Sequence, residues 1–140
     1  MIVYAESSAV LAWLLEEDGA DPVTPVLKAA ELVVTSDLTL VEVERTLVRA
    51  ATTGRLTPAH VALAAARLHA AARYWLLVRL SGSILARARE PFPVEPVRTL
   101  DALHLASVLE TREAVRGLAV LSLDERIRGN AAALAIPVLP

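Results

Sequence analysis

Short apolar runs recur along the chain, separated by longer stretches whose apolar residues return every three or four positions. The runs are "IVYA", "LVVTS", "WLLVRL", "LAVLSL" and a last short "IPVL". They are continuous rather than alternating, the pattern of strands in a parallel sheet covered on both faces. The stretches between them carry helix punctuation. Ser7 or Ser8 is the expected cap of a first helix running to about Glu17, which "EEDGADP" breaks. "VTPVLKAA" is a short second helix. Ser36 caps "DLTLVEVERTLVRAATTG", with Gly54 as its stop. Thr57 and Pro58 open "TPAHVALAAARLHAAARY", proline being pre-organised for the first helical position. "SGSILARARE", "RTLDALHLASVLETREAVRG" and "DERIRGNAAAL" complete the helices, and "PFPVEP" is an extended proline-rich link. Strands alternating with helices predict an open α/β sheet with right-handed crossovers. No repeat, low-complexity tract or linker divides the chain, so residues 1–140 are expected to form one domain.

A mean hydropathy of +0.50 raises the question of a membrane. The longest apolar run, Ala9 to Leu15, has seven residues against the roughly 20 a spanning helix needs. No Lys or Arg precedes Lys28, which argues against a signal peptide. With no cysteine there is neither a disulfide framework nor thiolate chemistry, and a reducing cytoplasm is the expected compartment. The net charge of −2 argues against a bulk-charge nucleic-acid binder, although metal neutralisation of four acids would turn it to +2. The basic residues other than Lys28 are all Arg. GC-rich coding explains that composition as well as phosphate recognition by guanidinium does.

Ligands of such sheets gather at the carboxyl ends of the strands, where strand order reverses. Glu6 ends the first strand and Asp124 follows the fourth. Asp101 lies in the first turn of the helix opened near Thr99, and Glu42 in the first turns of the helix after the second strand. Like charges so close cannot all ionise unless something positive lies between them. A hard divalent ion, Mg²⁺ or Mn²⁺, is the usual solution, and such sites take phosphate esters and activate water for in-line attack. Each acid also has an ordinary explanation. Asp101 and Asp124 suit helix N-termini, worth about 0.3–1 kcal/mol without any function. Glu42 and Arg45 are i,i+3 neighbours, and Glu42 points away from the stripe of Leu40, Val43, Leu47 and Ala51, toward solvent or a cleft. His104, one turn after Asp101 within "ALHLAS", reads better as a satisfied buried histidine than as a ligand or base. His60 and His69 carry no signal. Glycine-loop and nucleophile-elbow motifs are absent, which excludes dinucleotide, P-loop and serine-hydrolase readings.

"MIVYAESSAVLAWLLEE", "TSDLTLVEVERTL", "PVRTLDALHLASVL" and "LAVLSLDERI" together resemble, in order and spacing, the motif segments of PIN-domain ribonucleases of the VapC toxin type. The resemblance runs from Met1 to the closing "ALAIPVL" and is most specific around Asp101. It implies a three-layer α/β/α sandwich with a five-strand parallel sheet, Mg²⁺- or Mn²⁺-dependent cleavage of RNA (commonly tRNA or rRNA), a homodimer, and a small antitoxin partner. It further implies Glu6, Glu42, Asp101 and Asp124 as the catalytic acids, with Glu6, Asp101 and Asp124 on the metal and Glu42 binding metal or orienting water. Ser7 or Ser8 and Ser122 match the hydroxyls beside the first and last acids. Arg45, Arg49 and Arg98 are the expected phosphate contacts. One departure stands out: the family's first acid is normally Asp, and Glu6 carries its carboxylate roughly 1–1.5 Å farther out. That favours, as the rival expectation, a weakened or silent PIN-like domain acting as an RNA- or protein-binding module. The first helix, apolar all round from Ala9 to Leu15 with Trp13 among its residues, suits equally a core helix and a dimer or antitoxin contact.

Overall fold

The structure is a computed structural model that describes residues 1–16 and 20–140. Its strands are β1 (Ile2–Ala5), β2 (Leu32–Ser36), β3 (Leu76–Val78), β4 (Leu118–Leu121) and β5 (Val138–Leu139). They form one parallel sheet in the order β3-β2-β1-β4-β5. The helices are α1 (Ser7–Leu15), α2 (Ala20–Ala29), α3 (Asp37–Thr52), α4 (Pro58–Ala72), α5 (Gly82–Ala88), α6 (Thr99–Ala114) and α7 (Glu125–Ala133).

The continuous apolar character of the inner strands follows from burial on both faces. Val3 and Ala5 of β1 face a core with Val10 and Leu14 of α1, Val43 of α3 and Leu68 of α4. Tyr4, between them, faces the opposite core with Ile84 of α5, Leu105 of α6 and Ile127 of α7. The result is the expected three-layer sandwich. The outer strands are short: only Leu76–Val78 of "WLLVRL" pairs, because β3 is an edge strand whose one neighbour, β2, ends at Ser36.

Local punctuation accounts for most helix boundaries. The Ser36 hydroxyl accepts the Leu38 N–H at 3.1 Å and Thr57 accepts that of His60 at 3.2 Å. Gly54 takes φ +72° just past α3, where a side chain would strain. Two expectations are corrected. The N-cap position of α1 is Glu6 rather than Ser7 or Ser8, and its side chain makes no capping bond. The serine hydroxyls turn instead to the Glu6 carboxylate, a charged and therefore stronger acceptor. The second helix starts earlier than "VTPVLKAA", at Ala20, since Pro22 falls in its first turn where no N–H is needed. Of the expected break "EEDGADP", residues 17–19 lie outside the described residues, and Ala20, Asp21 and Pro22 belong to α2 instead.

α1 is chiefly a core helix. Ala9, Val10, Ala12 and Leu14 are buried, and Trp13 is half-covered by Trp75 and by the Arg67 guanidinium, 4.7 Å from its ring centre. Among the described residues no helix is long and apolar enough to cross a membrane.

Candidate active site

The strand order reverses between β1 and β4, and there the chain turns from Ala5 into Glu6. The Glu6 N–H continues the ladder by donating to the Leu121 carbonyl at 3.0 Å, which fixes its backbone against β4. The residue is only 5 % exposed. Such burial of a carboxylate requires donors, and three hydroxyls supply them. Ser7 donates to Oε1, while Ser8 at 2.5 Å and Ser122 at 2.7 Å donate to Oε2. The same oxygens lace the loop ends together, since Ser8 Oγ accepts the Leu123 N–H and Ser122 Oγ accepts the Asp124 N–H. The extra methylene of Glu6 is thus absorbed by a fitted cradle, with all three expected hydroxyls around it.

Asp124 is the N-cap of α7, its Oδ1 accepting the Arg126 N–H at 2.8 Å and the Ile127 N–H at 3.4 Å. The ordinary capping explanation therefore holds for one of its oxygens. Asp101 stands in the first turn of α6, after Arg98 at the N-cap position. Glu42 comes from α3, in the other helical layer. The four acids line one cleft of about 480 Å³, which Ser7, Ser8 and Arg98 also line. Arg45 and Arg49 are exposed on α3 and are not part of its lining.

The electrostatics show an excess of negative charge. Burial, then the carboxylates of Asp124 and Glu6, push the Asp101 carboxyl above its ordinary value, against the pull of Arg98 and Arg126. Asp101 Oδ2 is buried without a hydrogen-bond partner. A buried, unpaired, anionic oxygen facing other carboxylates is costly unless a cation completes it. The residues present therefore fit a divalent ion. Glu6, Asp101 and Asp124 offer hard oxygen donors, with Glu42 beside them.

Sequence reasoning set His104 aside, and the structure returns it to the site. It is buried and satisfied, as expected, but one of its partners is a candidate acid: Nε2 lies 2.6 Å from Glu42 Oε2 and 4.0 Å from Glu6 Oε1. One ligand atom each from Glu6, Glu42 and His104 fall within 4.8 Å of one another. Its other nitrogen, Nδ1, meets the Tyr4 hydroxyl at 3.0 Å. Tyr4 was missed entirely. The available signal was a phenol inside the buried run "IVYA", where a hydroxyl must find a partner.

The PIN domain family model matches residues 3–133. No curated protein sequence matches significantly. The fold is similar to that of VapC20 of Mycobacterium tuberculosis, a toxin that cleaves the sarcin–ricin loop, with a TM-score of 0.67, 18 % identity and 99 % of each chain covered. A toxin–antitoxin complex from Klebsiella pneumoniae gives a TM-score of 0.63 at 16 % identity, covering 99 % of this chain and 96 % of that one. VapBC2 of Rickettsia felis, bound to a DNA fragment from its promoter, gives 0.65 at 9 % identity, covering 99 % and 97 %.

Proposed function

The chain belongs to the PIN domain family, and on that premise we propose that it is a metal-dependent endoribonuclease, the toxin of a toxin–antitoxin pair. The observation that carries the proposal is Asp101 Oδ2, buried and unpartnered in a cleft with Glu6, Glu42 and Asp124 at the sheet's switch point. Mg²⁺ or Mn²⁺ would be held by Glu6, Asp101 and Asp124. When bound, such an ion supplies Lewis acidity toward a phosphodiester and lowers the pKa of water.

The protein's own groups do the rest. The serine cradle holds the Glu6 carboxylate rigid, so that no ordering remains to be done when a cation and substrate arrive. Glu42 presents a second anionic edge across the cleft, suited to binding metal or orienting water. Arg98, exposed at the cleft wall, suits a phosphate oxygen, and Arg45 and Arg49 suit more distant backbone contacts along α3. In this reading residues 1–140 act as one cytoplasmic domain, a homodimer cutting tRNA or rRNA and held in check by a small antitoxin. Support for the partner comes from the toxin–antitoxin assemblies that share the fold. The rival, a silent binding module, rested on Glu6, and its fitted cradle favours a working site instead.

Cleavage of total RNA in Mn²⁺, Mg²⁺ or EDTA tests this, comparing wild type with D101N and E6D. Divalent-dependent cutting by wild type, lost in D101N, is the expected result. Cutting seen only in E6D would make the natural protein a weakened enzyme, and none from any variant would overturn the nuclease reading.

A further inference from the structure

We propose that His104 is a positioning residue for Glu42, donating from Nε2 to Oε2 with its tautomer set by the hydroxyl of Tyr4. The inference rests on the nuclease reading for its consequence and on separate observations for its geometry. An ionised carboxylate only accepts, so the proton in the 2.6 Å contact between Nε2 and Glu42 belongs to the ring. A neutral imidazole carrying that proton has Nδ1 as an acceptor, and Nδ1 faces the Tyr4 hydroxyl at 3.0 Å. The phenol hydroxyl of Tyr4 carries the proton that such an acceptor takes.

The three residues span the whole sandwich. Tyr4 sits in the central strand, in register with Val34 on one side and Val120 on the other. His104 belongs to α6 in one helical layer and Glu42 to α3 in the opposite layer. Glu42 is thereby tied through a buried ring to the central strand of the sheet, and one oxygen is taken while Oε1 is left for the cleft. Without that bond a glutamate on an amphipathic helix has three free torsions and neighbouring solvent to explore. Partners of this kind beside ligating groups typically change activity or metal affinity about 10–100-fold when removed.

In a contrary arrangement Nε2 is itself a ligand together with Glu6 and Glu42. That requires the Nε2 proton to leave. Long-range ¹H–¹⁵N spectra of the full chain, with His104 assigned from H104Q, separate the two in apo protein and with Mg²⁺ or Zn²⁺ added. The expected result is an Nε2–H ring throughout, with mixed tautomers in Y4F. An Nδ1–H ring after metal addition would overturn the proposal. In RNA cleavage, H104L is expected to lose about 10–100-fold in kcat with KM unchanged, and H104Q to recover most of it through its amide N–H. In an E42Q background H104L should cost nothing further; an undiminished additional loss would overturn the proposal. Should H104L fail to fold, Y4F and the ring spectra still decide. Should the wild type cut no RNA with any ion, the nuclease reading falls while the spectra continue to test the His104–Glu42 bond.

Discussion

Replacing Asp101 with Asn should reverse the order of stability between mutant and wild type when a divalent ion is added. In the apo protein Asp101 carries a buried unpaired oxygen and sits against the charges of Asp124 and Glu6. Asn keeps the shape and removes the repelling charge, so apo D101N should melt at or slightly above the wild-type temperature. Adding Mn²⁺ to about 100 times its dissociation constant stabilises the wild type by about 2.7 kcal/mol. For a chain of 140 residues, with about 2.1 cal/mol/K of unfolding entropy per residue, that is a rise in Tm of roughly 9 °C. Loss of a ligating charge should weaken binding at least as much as loss of an outer partner, about 10–100-fold. At the same ion concentration D101N then gains about 0.4–1.4 kcal/mol, or roughly 1–5 °C. Differential scanning calorimetry in EDTA and in Mn²⁺ measures all four values. Equal metal-induced shifts in the two proteins would refute the assignment of Asp101 to the ion. An apo D101N melting many degrees below wild type would refute the picture of an over-charged cleft.

Ser122→Ala removes one of three donors to Glu6 and the acceptor of the Asp124 N–H, so the apo protein should lose about 1–3 kcal/mol, readable as a lower urea midpoint at unchanged slope. The raised Asp101 carboxyl binds its proton more tightly folded than unfolded. Its contribution to apo stability is therefore fully present below the ordinary carboxylate range and lost as pH rises through the elevated value. Titrating metal binding from pH 4 to 7 by calorimetry should show affinity rising across that window, and a flat profile would contradict it. Arg98→Ala should raise KM for RNA, leave apo Tm nearly unchanged, and reduce the salt dependence of binding by about one contact. Leu68→Ala, buried in the core and outside the lining of the acidic cleft, should cost about 2–5 kcal/mol while preserving the metal-induced shift in Tm.

Much of this molecule is written in short stretches of chain. Parallel strands buried on both faces leave continuous apolar runs, helix starts need Ser, Thr or Pro at defined positions, and βαβ succession forces the acids after "IVYA" and "LAVLSL" to one edge. Glu6, Glu42, Asp101 and Asp124 were therefore legible as a set, as were the serines beside them. The short edge strand β3 was overextended because periodicity does not reveal which neighbour is missing.

The sequence by itself determined the fold class, the order of elements and the acids at the sheet edge, because these depend on local propensity and on rules that act over one crossover. The tertiary structure alone decided what each acid does with its oxygens: Glu6 in a cradle from Ser7, Ser8 and Ser122, Asp124 half spent on a cap, Asp101 with an oxygen unpartnered, Glu42 tied through His104 to Tyr4. The long-range contacts among these, Glu42–His104, Tyr4–His104 and Glu6–Ser122, join residues 62 to 116 positions apart, the first of them across the two helical layers. Hydrogen bonds demand placement to a few tenths of an ångström, which packing of the layers sets and residue spacing along the chain does not.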